Sequence, residues 1–253
     1  MPHKRMSRWK AASIHLCISA TIALCVGALL FTLWYPPPYF EAAGASVLML
    51  LLIGVDLVLG PMLTLIVFRA GKKGMSFDLA VIGLVQATAL VYGLHVITVA
   101  RPVFIVACVD RFNLVTAEDL DPKDLAQGRA PAFRTLSWTG PRVVGAPVPT
   151  DPAERNEVIK SGLDGKDIQL LPKYYVDYTS VVPALLKHAR PLAELRRINP
   201  HAGPVLDRWL ARHTARTDTN TVWLPLMARK TSLTMLVDGT NGKILGALPI
   251  DPW

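Results

Sequence analysis

Asp56 is the only Asp, Glu, Lys, Arg or His between Glu41 and Arg69. A lone carboxylate in the middle of a long apolar run is costly in hydrocarbon, so it marks a functional or strongly structural position. Three roles fit it: a clasp hydrogen-bonded within the protein, a contact for a partner helix, or a station on a proton or ion path. Depth selects its candidate donors. At 1.5 Å per residue, Asp56 lies ~18 Å from the inner end of its run at Phe68, and Tyr92 lies ~20 Å from the inner end of the next run at Leu79. Thr21 lies ~15 Å from Ala11 by the same count. Tyr92 is therefore the first expected partner, with Thr21 and Thr88 next. Gly60-Pro61, one turn past Asp56, should loosen the helix and free backbone groups. An aspartyl protease needs two carboxylates sharing a proton. Asp78, the only other nearby acid, is ~18 Å away in depth, which argues against that chemistry.

The remainder of the chain is poor in chemical motifs. There is no Gly-x-Ser-x-Gly, no phosphate-cradling Gly loop and no Cys-x-x-Cys, and no catalytic residue or cofactor is expected. His188, His201 and His213 stand 13 and 12 residues apart, which does not place two on one helical face, so no metal site is expected. Ser180 and His188 would meet as a nucleophile pair only by accident of folding. Cys17 and Cys25 fall in the first apolar run, and Cys108 sits in an apolar strand-like run where burial is the expected fate. Trp138, Tyr174, Tyr175, Tyr178, Trp209, Trp223 and Trp253 read as core and turn residues. The net charge of +8 divides evenly, because seven of the 27 basic and three of the 19 acidic residues fall within the first hundred. No basic cluster with interleaved aromatics follows, so nucleic acid is not an expected partner.

The elements that must position Asp56 are three apolar spans at about 11–34, 43–68 and 79–99. Each has the ~20 residues needed to cross ~30 Å of hydrocarbon. A cleaved signal peptide is the competing reading of the first, with Ala43-Gly44-Ala45 as its cleavage site. The apolar core is longer than such peptides use and the next span follows at once, so the segment reads as an anchor. Lys4, Arg5, Arg8 and Lys10 precede the first span, and Arg69, Lys72 and Lys73 lie between the second and third. The connection through Pro36-Pro37-Pro38 has no Lys or Arg. The positive-inside rule then puts the N-terminus in the cytoplasm, and three crossings put 101–253 outside. Arg101 breaks the asymmetry alone. The fold class expected is an integral membrane protein with a three-helix transmembrane region, 1–100, followed by a mixed α/β extracytoplasmic domain, 101–253.

Small residues recur at four-residue spacing: Ser19, Ala23 and Gly27; Gly83 and Ala87; Ala89 and Gly93. Such stripes let helices approach closely. In the domain, 103–109 reads as a buried central strand and 112–116 as a second. Asp121-Pro122 and Asp151-Pro152 are helix starts, the latter helix ending near Gly162. The prolines at 131, 141, 147 and 149 mark an irregular, surface-exposed stretch. Helices are expected over 180–189 and 204–214, and a closing hairpin pairs 233–237 with 244–248. Arg196-Arg197 and Arg229-Lys230 read as solvated pairs.

Several of these segments resemble the TfpX/TfpZ-type type IV pilin accessory proteins. The likeness rests on Leu33-Trp34-Tyr35-Pro36, the segment 54–68 around Asp56 and Gly60-Pro61, Asp78-Leu79-Ala80-Val81-Ile82, Gln86, Tyr92-Gly93 and Ala100-Arg101-Pro102-Val103. Trp223-Leu224-Pro225-Leu226 and the closing 249–253 add to it. It covers the first 116 residues well and the domain loosely. The resemblance implies a non-enzymatic bacterial inner-membrane accessory or chaperone protein whose partner is a type IV pilin, met through both its membrane helix and its globular head. It supplies no catalytic residue. Asp56, with Gly60, Pro61, Tyr92, Thr21 and Thr88, is the expected partner-binding or intramembrane clasp. The alternative is a small transporter or ion-pathway component around Asp56, which would have to form a homo-oligomer in the lipid bilayer to enclose a path.

Overall fold

The computed structural model describes residues 6–213 and 220–253. Lys4 and Arg5 of the basic N-terminal segment, and Thr214 at the end of the expected helix 204–214, lie outside the described residues. The chain forms two compact units: residues up to Thr32 with Ala45–Val99, and Leu33–Gly44 with Ala100–Trp253.

Among the described residues three helices are long and apolar enough to cross a membrane, α1 (Arg8–Trp34), α2 (Ala45–Val67) and α3 (Met75–Val99), and all but the last two residues of α1 lie in the first unit. Their limits match the spans expected from sequence to within a few residues. Ser7 starts α1 by accepting the Lys10 backbone N–H at 3.2 Å. α2 packs against both neighbours, its N-terminal half on α3 and its C-terminal half on α1 and α3. Much of the apolar surface of these helices is left bare by the described residues; Leu24 is 74% exposed, Leu50 71% and Ile66 67%. An aqueous protein does not leave such surface bare. Two stretches depart from the α-helical register, Leu30–Trp34 at the end of α1 and Val55–Leu59 within α2, where the helix widens to a π turn. Glycines and small residues do sit at the contacts. Gly27 lies against Met49, and a Cβ on Gly93 would collide with the Leu52 side chain. Gly83, by contrast, has open space where its side chain would be.

Among the described residues the second unit is built on one mixed sheet of eight strands, ordered β4 (Val176–Asp177), β3 (Arg142–Gly145), β1 (Pro102–Cys108), β2 (Arg111–Thr116), β6 (Thr221–Met227), β7 (Leu233–Asp238) and β8 (Ile244–Leu248), with β5 (Arg190–Pro191) also paired to β6. The central strand β1 (Pro102–Cys108) is buried along its whole length, as its unbroken apolar run requires. It pairs antiparallel with β2 (Arg111–Thr116) and parallel with β3 (Arg142–Gly145). The stretch of prolines from 131 to 149 is therefore not wholly irregular and exposed, because β3 lies inside it and buries Val144 beside β1. Proline spacing marks where chain bends, but four residues between Pro141 and Pro147 are enough for a strand. α4 (Pro122–Leu125) and α5 (Pro152–Leu163) begin where expected, capped by the Asp121 and Asp151 side chains. β4 (Val176–Asp177) and α6 (Tyr178–Leu185) follow, the helix running on into a 3-10 turn at Leu186–His188. Then come β5 (Arg190–Pro191), α7 (Leu192–Ile198) and α8 (Ala202–Arg212).

β6 (Thr221–Met227) forms despite Pro225. Its outer edge is shared, with β5 pairing at Val222 and Trp223 and β2 pairing at Leu226 and Met227. Pro225 falls in the gap between them, where a residue without an N–H is tolerated. β7 (Leu233–Asp238) and β8 (Ile244–Leu248) make the closing hairpin. Two cores result. One surrounds Phe104, Val106 and Tyr175; the other surrounds Trp223, Leu195 and Leu206. The aromatic residues divide accordingly: Tyr174, Tyr175 and Trp223 are buried, while Trp138 and Trp253 are exposed.

The Leu33–Gly44 connection is part of this second unit. The Lys230 backbone N–H donates to the Ala42 carbonyl at 3.0 Å, and the Trp34 ring packs near Trp138. Arg101 lies between those two rings, 4.2 Å from the centroid of Trp138 and 5.9 Å from that of Trp34, and its Nε donates to the Ser137 carbonyl. It is 4% exposed. The charge that broke the loop asymmetry is thus committed to an aromatic cage. Arg229 likewise pairs with Glu118, and Arg196 with Asp207 at 2.5 Å, so neither of those basic pairs is only a solvated face.

Candidate intramembrane site

The π turn at Val55–Leu59 places Asp56 inside the helix unit rather than on its surface, and its side chain is 8% exposed. Pro61 accounts for the local geometry. In an i to i+5 register the donor due to the Asp56 carbonyl is residue 61, and proline has no N–H. The Gln86 side chain takes over, its Nε2 donating to that carbonyl at 3.3 Å. Gly60 makes room for it, since a Cβ there would overlap the Gln86 amide. Gly60, Pro61 and Gln86 therefore act together, one clearing space, one removing a donor and one replacing it.

No such arrangement serves the Asp56 carboxyl. Its Oδ1 has no hydrogen-bond partner among the described residues. The Thr21 hydroxyl donates to Cys17 and the Thr88 hydroxyl to Leu84, each four residues back on its own helix, so neither reaches Asp56. Tyr92 is brought to the same place but not into contact by hydrogen bond. Both residues line a groove of about 220 Å³ between α2 and α3, whose other walls include Leu48, Leu52, Val55 and Val96. Tyr92 is 69% exposed at its edge. Ala89 and Gly93 form the small-residue side. A buried acceptor left without a donor costs about 1–3 kcal/mol. A second polar contact joins α1 to α2 nearer the C-terminal end of α2, His15 Nδ1 to Thr64 Oγ1 at 2.6 Å. Asp78 is drawn off in another direction and pairs with Lys72 at 2.5 Å.

Depth along the helices suggests Tyr92 as donor to Asp56; the structure brings both to one groove without that hydrogen bond, and the threonines bond to their own helices instead. The role of Gln86 was missed. The available signal was a single side-chain amide on the third span, set against the one proline of the span before it.

The domain's polar candidates have ordinary structural employment. Ser180 donates to the Asp177 carbonyl at 2.6 Å, and His213 stacks on Trp209 with ring centroids 4.4 Å apart. Among the described residues, no three of the His, Cys, Asp or Glu side chains gather as a metal would need. Cys108 is buried, and burial pushes its thiol up to about 12, which leaves it protonated and a poor nucleophile at neutral pH. The Tyr178 hydroxyl, also pushed up to about 12 by burial, donates to the Gly242 carbonyl.

The family model for fimbrial assembly protein FimB matches residues 3–44. The chain is 30% identical over 245 residues to the fimbrial assembly protein of serogroup I from Dichelobacter nodosus, spanning 96% of this chain and 95% of that one. It is 30% identical over 246 residues to the serogroup E1 protein of the same organism, with the same coverage. The protein of serogroups C1 and C2 is 34% identical over 120 residues, which are 47% of this chain and 92% of that one. No solved structure matches. With that identity maintained along nearly the whole of both chains, this protein belongs to the fimbrial assembly protein family.

Proposed function

We propose that the chain is a non-enzymatic accessory protein of the bacterial inner membrane that binds a type IV pilin and supports its stability or its assembly into pili, as TfpX/TfpZ-type proteins do. The observation that carries this reading is the near full-length likeness to proteins named for fimbrial assembly. The architecture supports it. Three helices with bare apolar surface suit a bilayer, and a bilayer leaves one mixed α/β unit outside the cytoplasm if Arg8, Lys10, Arg69, Lys72 and Lys73 stay inside. A pilin awaiting assembly offers the matching parts, an apolar membrane helix and a folded head. The described residues include an apolar groove between α2 and α3 and a compact α/β unit, which suit such a partner. The decisive experiment is recovery of the tagged full chain from native membranes in mild detergent. Co-recovery of the pilin, with loss of surface pili on deleting the gene, is the expected result. A stable homo-oligomer that conducts ions and carries no pilin would instead establish the transport reading.

A further inference from the structure

We propose that the groove between α2 and α3 receives the pilin's transmembrane helix, which presents small residues toward Ala89 and Gly93 and a neutral hydrogen-bond donor, a hydroxyl or amide, to Asp56. This rests on the pilin-binding reading above and specifies the surface and the chemistry of recognition. Asp56 is more than nine-tenths buried and lines the groove, yet its Oδ1 is without a donor among the described residues. The expected donors within the chain do not serve it: Gln86 bonds the main chain, Thr21 and Thr88 bond their own helices, and Tyr92 lines the groove without supplying a hydrogen bond to Oδ1. Whether Asp56 is ionised or a neutral acid, its carbonyl-type oxygen still needs an N–H or O–H. The walls are apolar, so the group bringing that donor must arrive on an apolar helix.

A neutral donor suits such a partner better than a cation. A pilin helix must reside in lipid before docking, where a Lys or Arg at mid-depth is heavily penalised. A hydroxyl can wait there by bonding to its own backbone, as Thr21, Thr32, Thr88 and Thr98 do here at 2.6 to 2.9 Å. It can then exchange that acceptor for Asp56 on arrival.

The test compares pilin recovered with the tagged full chain at matched chain levels, together with photo-crosslinking from two positions. Asp56→Leu should lower recovery by about tenfold, equivalent to about 1.4 kcal/mol, while Asp56→Asn, which keeps a carbonyl oxygen, should stay close to wild type. Ala89→Trp fills the groove from the α3 side while leaving the Asp56 side chain in place and should also lower recovery, which keeps the test open if Asp56→Leu reduces the chain's level. A photo-reactive residue at Tyr92 should capture pilin, and one at Ile66, about three turns below Asp56 on α2, should not. Wild-type recovery by both Asp56→Leu and Ala89→Trp would overturn the proposal. So would a loss with Asp56→Asn as complete as with Asp56→Leu, because the contact would then require charge. Capture of a second copy of the chain at Tyr92 would make the groove a self-interface and overturn it too. Absence of pilin from the wild-type preparation would instead strike the pilin-binding reading itself.

Discussion

Arg101 carries its charge into a site that is almost closed to solvent, held between Trp34 and Trp138 with Nε on the Ser137 carbonyl. Burial draws its pKa below the usual arginine range, with Tyr35 opposing, but a guanidinium remains charged under any working condition. Burial pushes Tyr35 upward in turn, so that pair titrates far outside the physiological window. A desolvated cation over an aromatic face is worth about 2 kcal/mol. Arg101→Met should therefore lower the unfolding free energy of the full chain by roughly that amount, measured by denaturant titration in detergent. Arg101→Lys should fall between, since it keeps the charge and loses the planar stacking. None of this was legible in sequence. Trp34 and Trp138 lie 67 and 37 residues from Arg101, and no periodicity links positions so far apart. Asp56 was legible because its oddity is local: one charge in an apolar run announces itself without any knowledge of the fold.

Elements were read well wherever a single local rule governed them. The Asp-Pro starts of α4 and α5, the apolar run of β1 and the turn-rich β7–β8 hairpin each need only their own residues. The β1–β2 turn shows the limit. Cys108 pairs with Arg111, leaving Val109 and Asp110 as a two-residue loop, and Val109 takes φ 47° at a position that such turns usually give to glycine. With no glycine to mark the turn, the strand appeared to continue through 109. A β-branched residue there is strained. Val109→Gly should raise stability by about 1 kcal/mol, read as a higher denaturant midpoint with an unchanged slope. β3 and β6 were hidden by prolines, whose tolerance depends on where neighbouring strands begin and end. Among the helices, spacing identified small-residue stripes but not which of them are used. Gly93→Leu should lower the amount of folded chain in membranes, because Leu52 occupies the space, whereas Gly83→Ala should leave it unchanged.

At the scale of the whole molecule the chain has two units, and the Leu33–Gly44 connection belongs with the globular one. The sequence places the division at residue 100 and so counts that connection with the membrane region. Its attachment through Ala42 and Trp34 depends on partners at 230 and 138, which only the folded chain reveals. The same connection bears no Lys or Arg, and Arg101 is caged, so the uncaged positive charge of the segments flanking the helices is gathered at Arg8, Lys10, Arg69, Lys72 and Lys73. By the positive-inside rule that distribution favours the orientation that the proposed pilin contact outside the membrane requires. Fusing alkaline phosphatase, which is active only in the periplasm, after Trp253 and separately after Lys73 tests it directly. High activity from the first and none from the second is the predicted result; a silent fusion after Trp253, present at normal levels, would contradict it.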